Sequence, residues 1–512
     1  MRRLLAFALV VAAGAAGAGE WRLWRGTRLE LLSDVPEAEA VGWLRTLEGF
    51  VATVGGGPVR EVNAVARTPV YLFAHETDYR TFTPIRRGRR VEWSAFLVTD
   101  GYSRAIAAPR RSTAGDTRHM LLHEATHLLQ AGRGRAYPPW VQEGEAEYGA
   151  SFTNEASGGF AVGLPLPRHL ALLRRDGFRP LRLLLGREGD GPDLESRYQD
   201  HLFYASSWLL FSMLNADPEL RGRFADYAAA WDATTNRVAA FESAFGLPLA
   251  AAEARLGTLL ATNAWPHGVV TNPPAPPATP EPQPLTLAEM EWRFGHLLRL
   301  GDRVESAEPY LLRAIRADPR DPRPHVDLGL GWLARNLGDA ARTNLQAAMR
   351  LGTDNSLAEV SLILLGLEEL RLRLKPGQRP DIARLRHWRD QLEEVLAVDP
   401  DLALAHRVLA QVLFAEDAES EEALAHAERA AALEPQNFVN QLEVAHLTAG
   451  ILRDFAGARA IIARVMASTA PPRVKQQAQD VARDVDDFEK FVRGAERVTE
   501  YREEQKKRRQ RR

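Results

Sequence analysis

Four side chains in two neighbouring segments are of the types and at the spacing that bind a metal ion and activate water. The first segment is Met120-Leu121-Leu122-His123-Glu124-Ala125-Thr126-His127-Leu128-Leu129. Residues four apart share a helix face, so His123 and His127 can aim one imidazole nitrogen each at a single ion. Glu124 sits beside them, where its carboxylate can take a proton from water held by the metal. The second segment is Pro138-Pro139-Trp140-Val141-Gln142-Glu143-Gly144-Glu145-Ala146-Glu147-Tyr148. Pro139 can begin a helix, where its missing N–H costs nothing, and Glu143 then falls in the first turns. A catalytic zinc site uses three protein ligands and keeps one position open, and two His plus one Glu is such a set. Glu147, one helical turn beyond Glu143, is placed to accept the free ring N–H of His123.

The pattern His-Glu-x-x-His followed by Trp-x-x-Glu-Gly-x-Ala-Glu-Tyr resembles the gluzincin metallopeptidases, in particular their peptidase MA-like and aminopeptidase-like branches. The resemblance spans residues 21–265 and is most specific in the two segments. It implies Zn²⁺ held by His123, His127 and Glu143, with Glu124 as general base. It also implies a downstream tyrosine that hydrogen-bonds the tetrahedral intermediate. Tyr204 is in a similar setting, opening the apolar run Tyr204-Ala205-Ser206-Ser207-Trp208-Leu209-Leu210-Phe211. A Gly-x-Met-Glu-Asn exopeptidase motif is absent upstream, which points away from an aminopeptidase.

Each residue also has a plainer reading. His119 continues the histidine stripe one turn earlier, but a turn rises about 5.4 Å, so three successive turns do not all ligate one ion. His119 is therefore expected at the helix start or behind the ligands, and Glu145 is expected to face solvent. Tyr204 is either an oxyanion donor or a packed aromatic. The four-residue set is either a working centre or the remnant of one that kept its fold. Three functions follow: a zinc-dependent peptidase, expected to be an endopeptidase on a peptide or protein substrate; an inactive scaffold of the same fold whose helical repeats mediate protein–protein interaction; or metal-dependent hydrolysis of a non-peptide substrate by the same residues.

The elements that must position these residues are an α+β zincin-like domain, residues 19–265, and an all-α helical repeat domain, residues 288–470. Residues 27–33 and 69–73 read as strands and 36–54 as a helix. Residues 94–100 and 102–108 read as a hairpin around Gly101. By the resemblance, a strand of that hairpin edges the cleft and pairs with an extended peptide. Residues 158–166 read as a loop, and 167–175, 201–214, 218–231, 238–245 and 249–263 as helices.

Residues 266–287 hold eight prolines and read as a stiff, solvated linker marking a domain boundary. Beyond it Gly295, Ala307, Leu311 and Ala314 recur thirty-four residues later as Gly329, Ala341, Leu345 and Ala348. Ala423, Ala430, Ala458, Ile462 and Val465 continue the pattern with drift, and an insertion is expected around Pro376-Gly377. A 34-residue period with small residues where paired helices touch resembles tetratricopeptide repeats, which implies a protein partner. A generic array of helical hairpins would bury its faces by the same logic. Residues 471–512 are expected as one more helix, to Arg497, and a basic, frayed tail from Lys506.

Length and composition fit this plan. The chain has 512 residues, 45% of them hydrophobic and 26% charged, as expected of two or three soluble domains. A net charge of −2 gives no global field toward nucleic acid or membrane. Residues 1–18, with Arg2, Arg3, an apolar run and Ala16-Gly17-Ala18, read as a secretory signal peptide, so the protein is expected to be exported, periplasmic or secreted. Membrane contact is expected only if that segment is uncleaved. There is no cysteine, so disulfides and thiolate ligands are excluded and His and carboxylate remain as metal ligands.

Overall fold

The computed structural model describes residues 20–510, apart from 55–66, 87–88, 91–93, 133–136, 155–158, 187–196, 235, 263, 266, 272–280, 376–377, 379, 418–419, 436 and 469–471. The expected signal segment, residues 266 and 272–280 of the proline-rich stretch, and Pro376-Gly377 lie outside the described residues. No helix among the described residues is long and apolar enough to cross a membrane. Two compact units result: one runs to Arg133 and resumes from Tyr137 to Gly331, and the other is Trp332–Arg512.

The first unit opens with β1 (Arg22–Arg25), β2 (Leu29–Ser33), α1 (Glu37–Val54), β3 (Thr68–Phe73) and α2 (Glu76–Phe82). A short hairpin, β4 (Ile85–Arg86) and β5 (Arg89–Arg90), precedes β6 (Phe96–Thr99) and β7 (Arg104–Pro109). The succession of strand, helix, strand and hairpin matches the expected one, with β1 and α2 added to it. These strands build a six-stranded sheet in the order β11-β1-β2-β3-β7-β6, with β11 at Gln283–Pro284. β3 runs parallel to β2 and β7, while β6 closes the sheet as an antiparallel edge strand. Both faces of the central strands are covered, which is why β3 reads as a nearly continuous apolar run. Val70 and Leu72 pack with Leu44 and Leu47 of α1 and with Leu121 and Leu122 further on. Phe73, on the opposite face, meets Phe82 of α2 at 5.2 Å between ring centroids.

Next come α3 (Ala114–Ala131), α4 (Pro139–Gly149), β8 (Thr153–Asn154), β9 (Phe160–Val162), α5 (Pro167–Asp176), α6 (Leu181–Leu185) and α7 (Arg197–Ala216). The helical half ends with α8 (Pro218–Arg221), α9 (Phe224–Ala233), α10 (Arg237–Phe245), α11 (Leu249–Thr262) and then β10 (Gly268–Val270). Two expectations are corrected here. The loop at 158–166 contains β9, because β8 and β10 pair with both its edges and Phe160 stacks on Phe152 at 4.6 Å. The single helix at 218–231 is broken at Gly222 into α8 and α9. A second apolar core, built on Trp140, Trp208, Tyr227 and Phe241, holds this half together.

The boundary expected at residues 266–287 is also displaced. The first unit continues through α12 (Leu287–Leu300) and α13 (Val304–Ala317) to Gly331. Arg293 of α12 is buried and reaches Glu30 Oε1 at 2.5 Å, and the Tyr71 hydroxyl donates to the Arg293 carbonyl at 3.0 Å. Phe294 lies 5.0 Å from Trp21 and 4.8 Å from Phe82 between ring centroids. The first helix pair is thus the cover of the sheet's second face, a tertiary role that proline content does not reveal.

The division between the units falls within α14 (Arg323–Ala334). The second unit continues with α15 (Gly338–Arg350), α16 (Ser356–Arg373), α17 (Ile382–Val398), α18 (Ala403–Glu416), α19 (Glu421–Leu433), α20 (Phe438–Leu452) and α21 (Phe455–Ala467). Ala341, Ala348, Ala423, Ala430 and Ala458 are fully buried, as their repeat positions require. A Cβ on Gly366 would lie 2.6 Å from the Trp388 ring, so the α16–α17 contact needs a glycine there. α22 (Pro472–Gln510) is longer than expected, because the basic segment continues the helix where a frayed tail was anticipated.

Candidate metal centre

The rotation of α3 is fixed by its apolar face and its start by Thr113. The Thr113 hydroxyl accepts from the Asp116 N–H at 3.1 Å and donates to the Asp116 carboxylate at 2.6 Å, capping the first turn. Leu121, Leu122, Ala125 and Leu128 go into the sheet-side core, which turns His123 and His127 toward α4. α4 starts on Pro139 and is anchored by buried Trp140, whose Nε1–H donates to the Tyr227 hydroxyl at 3.0 Å. The two helices approach closely at Gly149, where a Cβ would lie 2.3 Å from Thr126 Oγ1. Gly144 plays the same part toward α7: a Cβ there would lie 2.5 Å from the Ser207 carbonyl oxygen.

These contacts bring His123, His127 and Glu143 together. His123 Nε2 lies 3.3 Å from Glu143 Oε2, His127 Nε2 lies 3.5 Å from it, and the two Nε2 atoms are 3.1 Å apart. Four ligands at tetrahedral angles and about 2.0–2.1 Å from a zinc ion sit roughly 3.3 Å from one another, so this triangle has the size of one face of such a site. Glu143 Oε2 is buried and accepts no hydrogen bond, and it faces the two imidazole nitrogens across 3.3 and 3.5 Å. The donor set and its size fit a zinc ion. Burial pushes Glu143 up, but His127 and His123 outweigh it and hold the carboxyl down at about 2. It is therefore ionised beside the two imidazoles.

The atoms behind the triangle set its orientation. His127 Nδ1–H donates to Gln130 Oε1 at 2.8 Å, which turns the Nε2 lone pair inward. Gln130 Nε2 in turn donates to the Gln142 carbonyl at 2.8 Å and to Glu145 Oε2 at 3.1 Å, so Glu145 supports the site instead of facing solvent alone. His123 Nδ1 lies 3.2 Å from Glu147 Oε1, the contact expected from the spacing. The other oxygen of Glu147 lies 2.7 Å from His169 Nε2, 3.1 Å from His119 Nε2 and 3.2 Å from an Arg168 nitrogen. Burial pushes Glu147 up, but His119 and His169 hold it well below the usual carboxylate range. His119 thus stands behind the ligands.

His119, His123 and Glu147 form a second group of ligand atoms, all within 4.8 Å of one another. The Arg168 guanidinium already supplies the positive charge there, and Glu147 is fully engaged, so the triangle on Glu143 is the better cation site. Glu124 lies in the field of His123, His127 and Glu143 and interacts with the Leu97 backbone of edge strand β6. Burial pushes its carboxyl above the ordinary value. The ring of Tyr204, near the start of α7, is 6.1 Å from that of His123 in an edge-on arrangement. All the expected residues are therefore gathered at the junction of α3, α4 and α7. Gln130 follows His127 by three residues on the same helix face and could have been read from spacing. His169 and Arg168 lie on α5, and no local pattern marks them.

No family model matches the chain, and no curated protein matches it. Solved structures do. MamA 41-end from Desulfovibrio magneticus RS-1 is 17% identical, covering 36% of this chain and 95% of that one, with a TM-score of 0.27. TTC0263, a thermophilic TPR protein in Thermus thermophilus, is 19% identical, covering 38% and 98%, with a TM-score of 0.30. YrrB, a TPR protein with an unusual peptide-binding site, is 15% identical, covering 38% and 92%, with a TM-score of 0.26. The described residues from α12 to α21 form a run of consecutive helices.

Proposed function

We propose that the protein is a zinc-dependent peptide hydrolase whose helical repeats bind a protein or peptide partner. The reading rests on one observation: the triangle of His123 Nε2, His127 Nε2 and the otherwise unpartnered Glu143 Oε2, with edges of 3.1, 3.3 and 3.5 Å. When bound there, the ion supplies Lewis acidity to the scissile carbonyl and to the attacking water. Glu124, whose proton affinity is raised by burial, takes the proton of that water and returns it to the leaving amine. Tyr204 donates its hydroxyl proton in a hydrogen bond to the developing oxyanion. β6, as the sheet's edge strand beside Glu124, offers main-chain pairing to an extended peptide. The test is metal analysis of the purified protein together with digestion of a peptide library, with Glu124→Gln as control. Near-stoichiometric zinc and chelator-sensitive cleavage lost in the variant are expected; no bound metal and no cleavage would end the reading.

A second reading keeps only the repeats as the working surface, with the centre a remnant. It is favoured by the buried alanines at the repeat positions, Ala341, Ala348, Ala423, Ala430 and Ala458. Stacked helix pairs present an extended surface suited to a protein partner. Export is proposed with either reading, and the N-terminal sequence of the mature protein tests it.

A further inference from the structure

Arg299 closes the last turn of α12 and is buried, with 7% of its side chain exposed. Its Nη1–H donates to Asp100 Oδ2 at 2.8 Å and its Nε–H to Asp327 Oδ1 at 2.5 Å. Asp327, on α14, also accepts from Trp292 Nε1 at 2.8 Å and faces His296 Nδ1 at 2.8 Å. One guanidinium therefore joins two carboxylates, one from the repeat helices and one from the tip of the β6–β7 hairpin.

The division of labour at Asp100 says what the bond is for. Its Oδ1 accepts from the backbone N–H groups of Tyr102 at 3.0 Å and Ser103 at 2.6 Å, which closes the turn without outside help. Its Oδ2 is given to Arg299. The ion pair thus adds nothing to the turn itself and instead fixes where the hairpin stands relative to α12. That hairpin carries β6, the terminal strand of the sheet, whose Leu97 backbone touches Glu124.

We infer that Arg299 is a positioning residue: through Asp100 it holds the β6 edge at the distance from Glu124 that an extended substrate needs, and so ties the first repeat pair to the candidate centre. The substrate part of this inference rests on the hydrolase reading above; the positioning part does not. A buried guanidinium is costly to delete here, since truncation strands the buried Asp327 carboxylate as well as releasing the more exposed Asp100. Asp100→Asn is the gentler variant, because the amide oxygen still serves the turn while the charge pair is lost.

The experiment is hydrogen–deuterium exchange on the full chain, comparing wild type, Asp100→Asn and Arg299→Ala, with zinc content measured on each. Exchange in residues 96–103 is expected to speed up roughly tenfold in both variants, with residues 114–131 unchanged and zinc retained. Unchanged exchange at 96–103 in Asp100→Asn overturns the inference, and so does an equal acceleration throughout the first unit. On a cleaved peptide, KM is expected to rise several-fold with kcat nearly constant, and a fall in kcat at constant KM overturns the substrate part. If wild type holds no zinc and cleaves nothing, the hydrolase reading falls while the exchange result still decides the role of Arg299.

Discussion

His169 Nε2 lies 2.7 Å from Glu147 Oε2, across a gap of 22 residues, and is the shortest of the contacts that fix this carboxylate behind His123. Losing it leaves Glu147 freer to turn from His123 Nδ1. His169→Ala is expected to weaken zinc binding by about 10–100-fold, the usual cost of removing support behind a ligand. Competition against a chromophoric chelator measures it. An unchanged affinity would leave His169 with only a packing role.

The ligands and the base separate in a pair of variants. Glu143→Ala is expected to lose stoichiometric zinc, whereas Glu124→Gln is expected to keep it and lose turnover. Tyr204→Phe is expected to keep zinc and lose on the order of 10²-fold in kcat, the effect of removing one oxyanion donor. Metal content by elemental analysis and steady-state kinetics on one cleaved peptide decide all three.

Gly144 follows Glu143 of the candidate centre, and its missing Cβ is what lets α7 lie against α4. A methyl there would sit 2.5 Å from the Ser207 carbonyl oxygen and 2.8 Å from Phe211 Cβ. Gly144→Ala should cost about 1–3 kcal/mol, as overpacking generally does, and displace the helix that carries Tyr204. Thermal unfolding checks the first effect, and a fall in kcat larger than the loss of zinc checks the second.

Asp327 gives the fold a definite acid response. Burial pushes its carboxyl up, but His296 and Arg299 outweigh burial and hold it at about 2, against an ordinary value of 3.8. A carboxyl depressed on folding contributes stability that is full above its ordinary value and lost as the pH falls through the folded one. The difference corresponds to roughly 2 kcal/mol. Urea midpoints of wild type and Asp327→Asn should therefore differ fully above about pH 4 and converge toward pH 2. A constant difference across that range would show that Asp327 acts without its charge.

The parts of the centre that a helix repeat can encode were legible in the chain. His123 and His127 share a face, and Glu143 and Glu147 share another. The helix and hairpin ahead of them follow from apolar spacing, as does the 34-residue rhythm from Gly295 onward. What stayed hidden depends on contacts far apart in sequence. His169 and Arg168 reach Glu147 from α5, and Arg293 and Arg299 reach Glu30 and Asp100 from α12. Such residues obey no local period, and a proline-rich stretch beside them suggests a boundary where the chain in fact doubles back onto the sheet.

The aromatic cover that α12 lays over Trp21, Phe73 and Phe82 has a practical corollary. A fragment stopped at the prolines would carry the whole candidate centre yet bare an oily patch and leave Glu30 without Arg293. Such a piece would clump, and its silence in an assay would say nothing of the chemistry. A fragment meant to test the proposed chemistry should therefore run past the first helix pair.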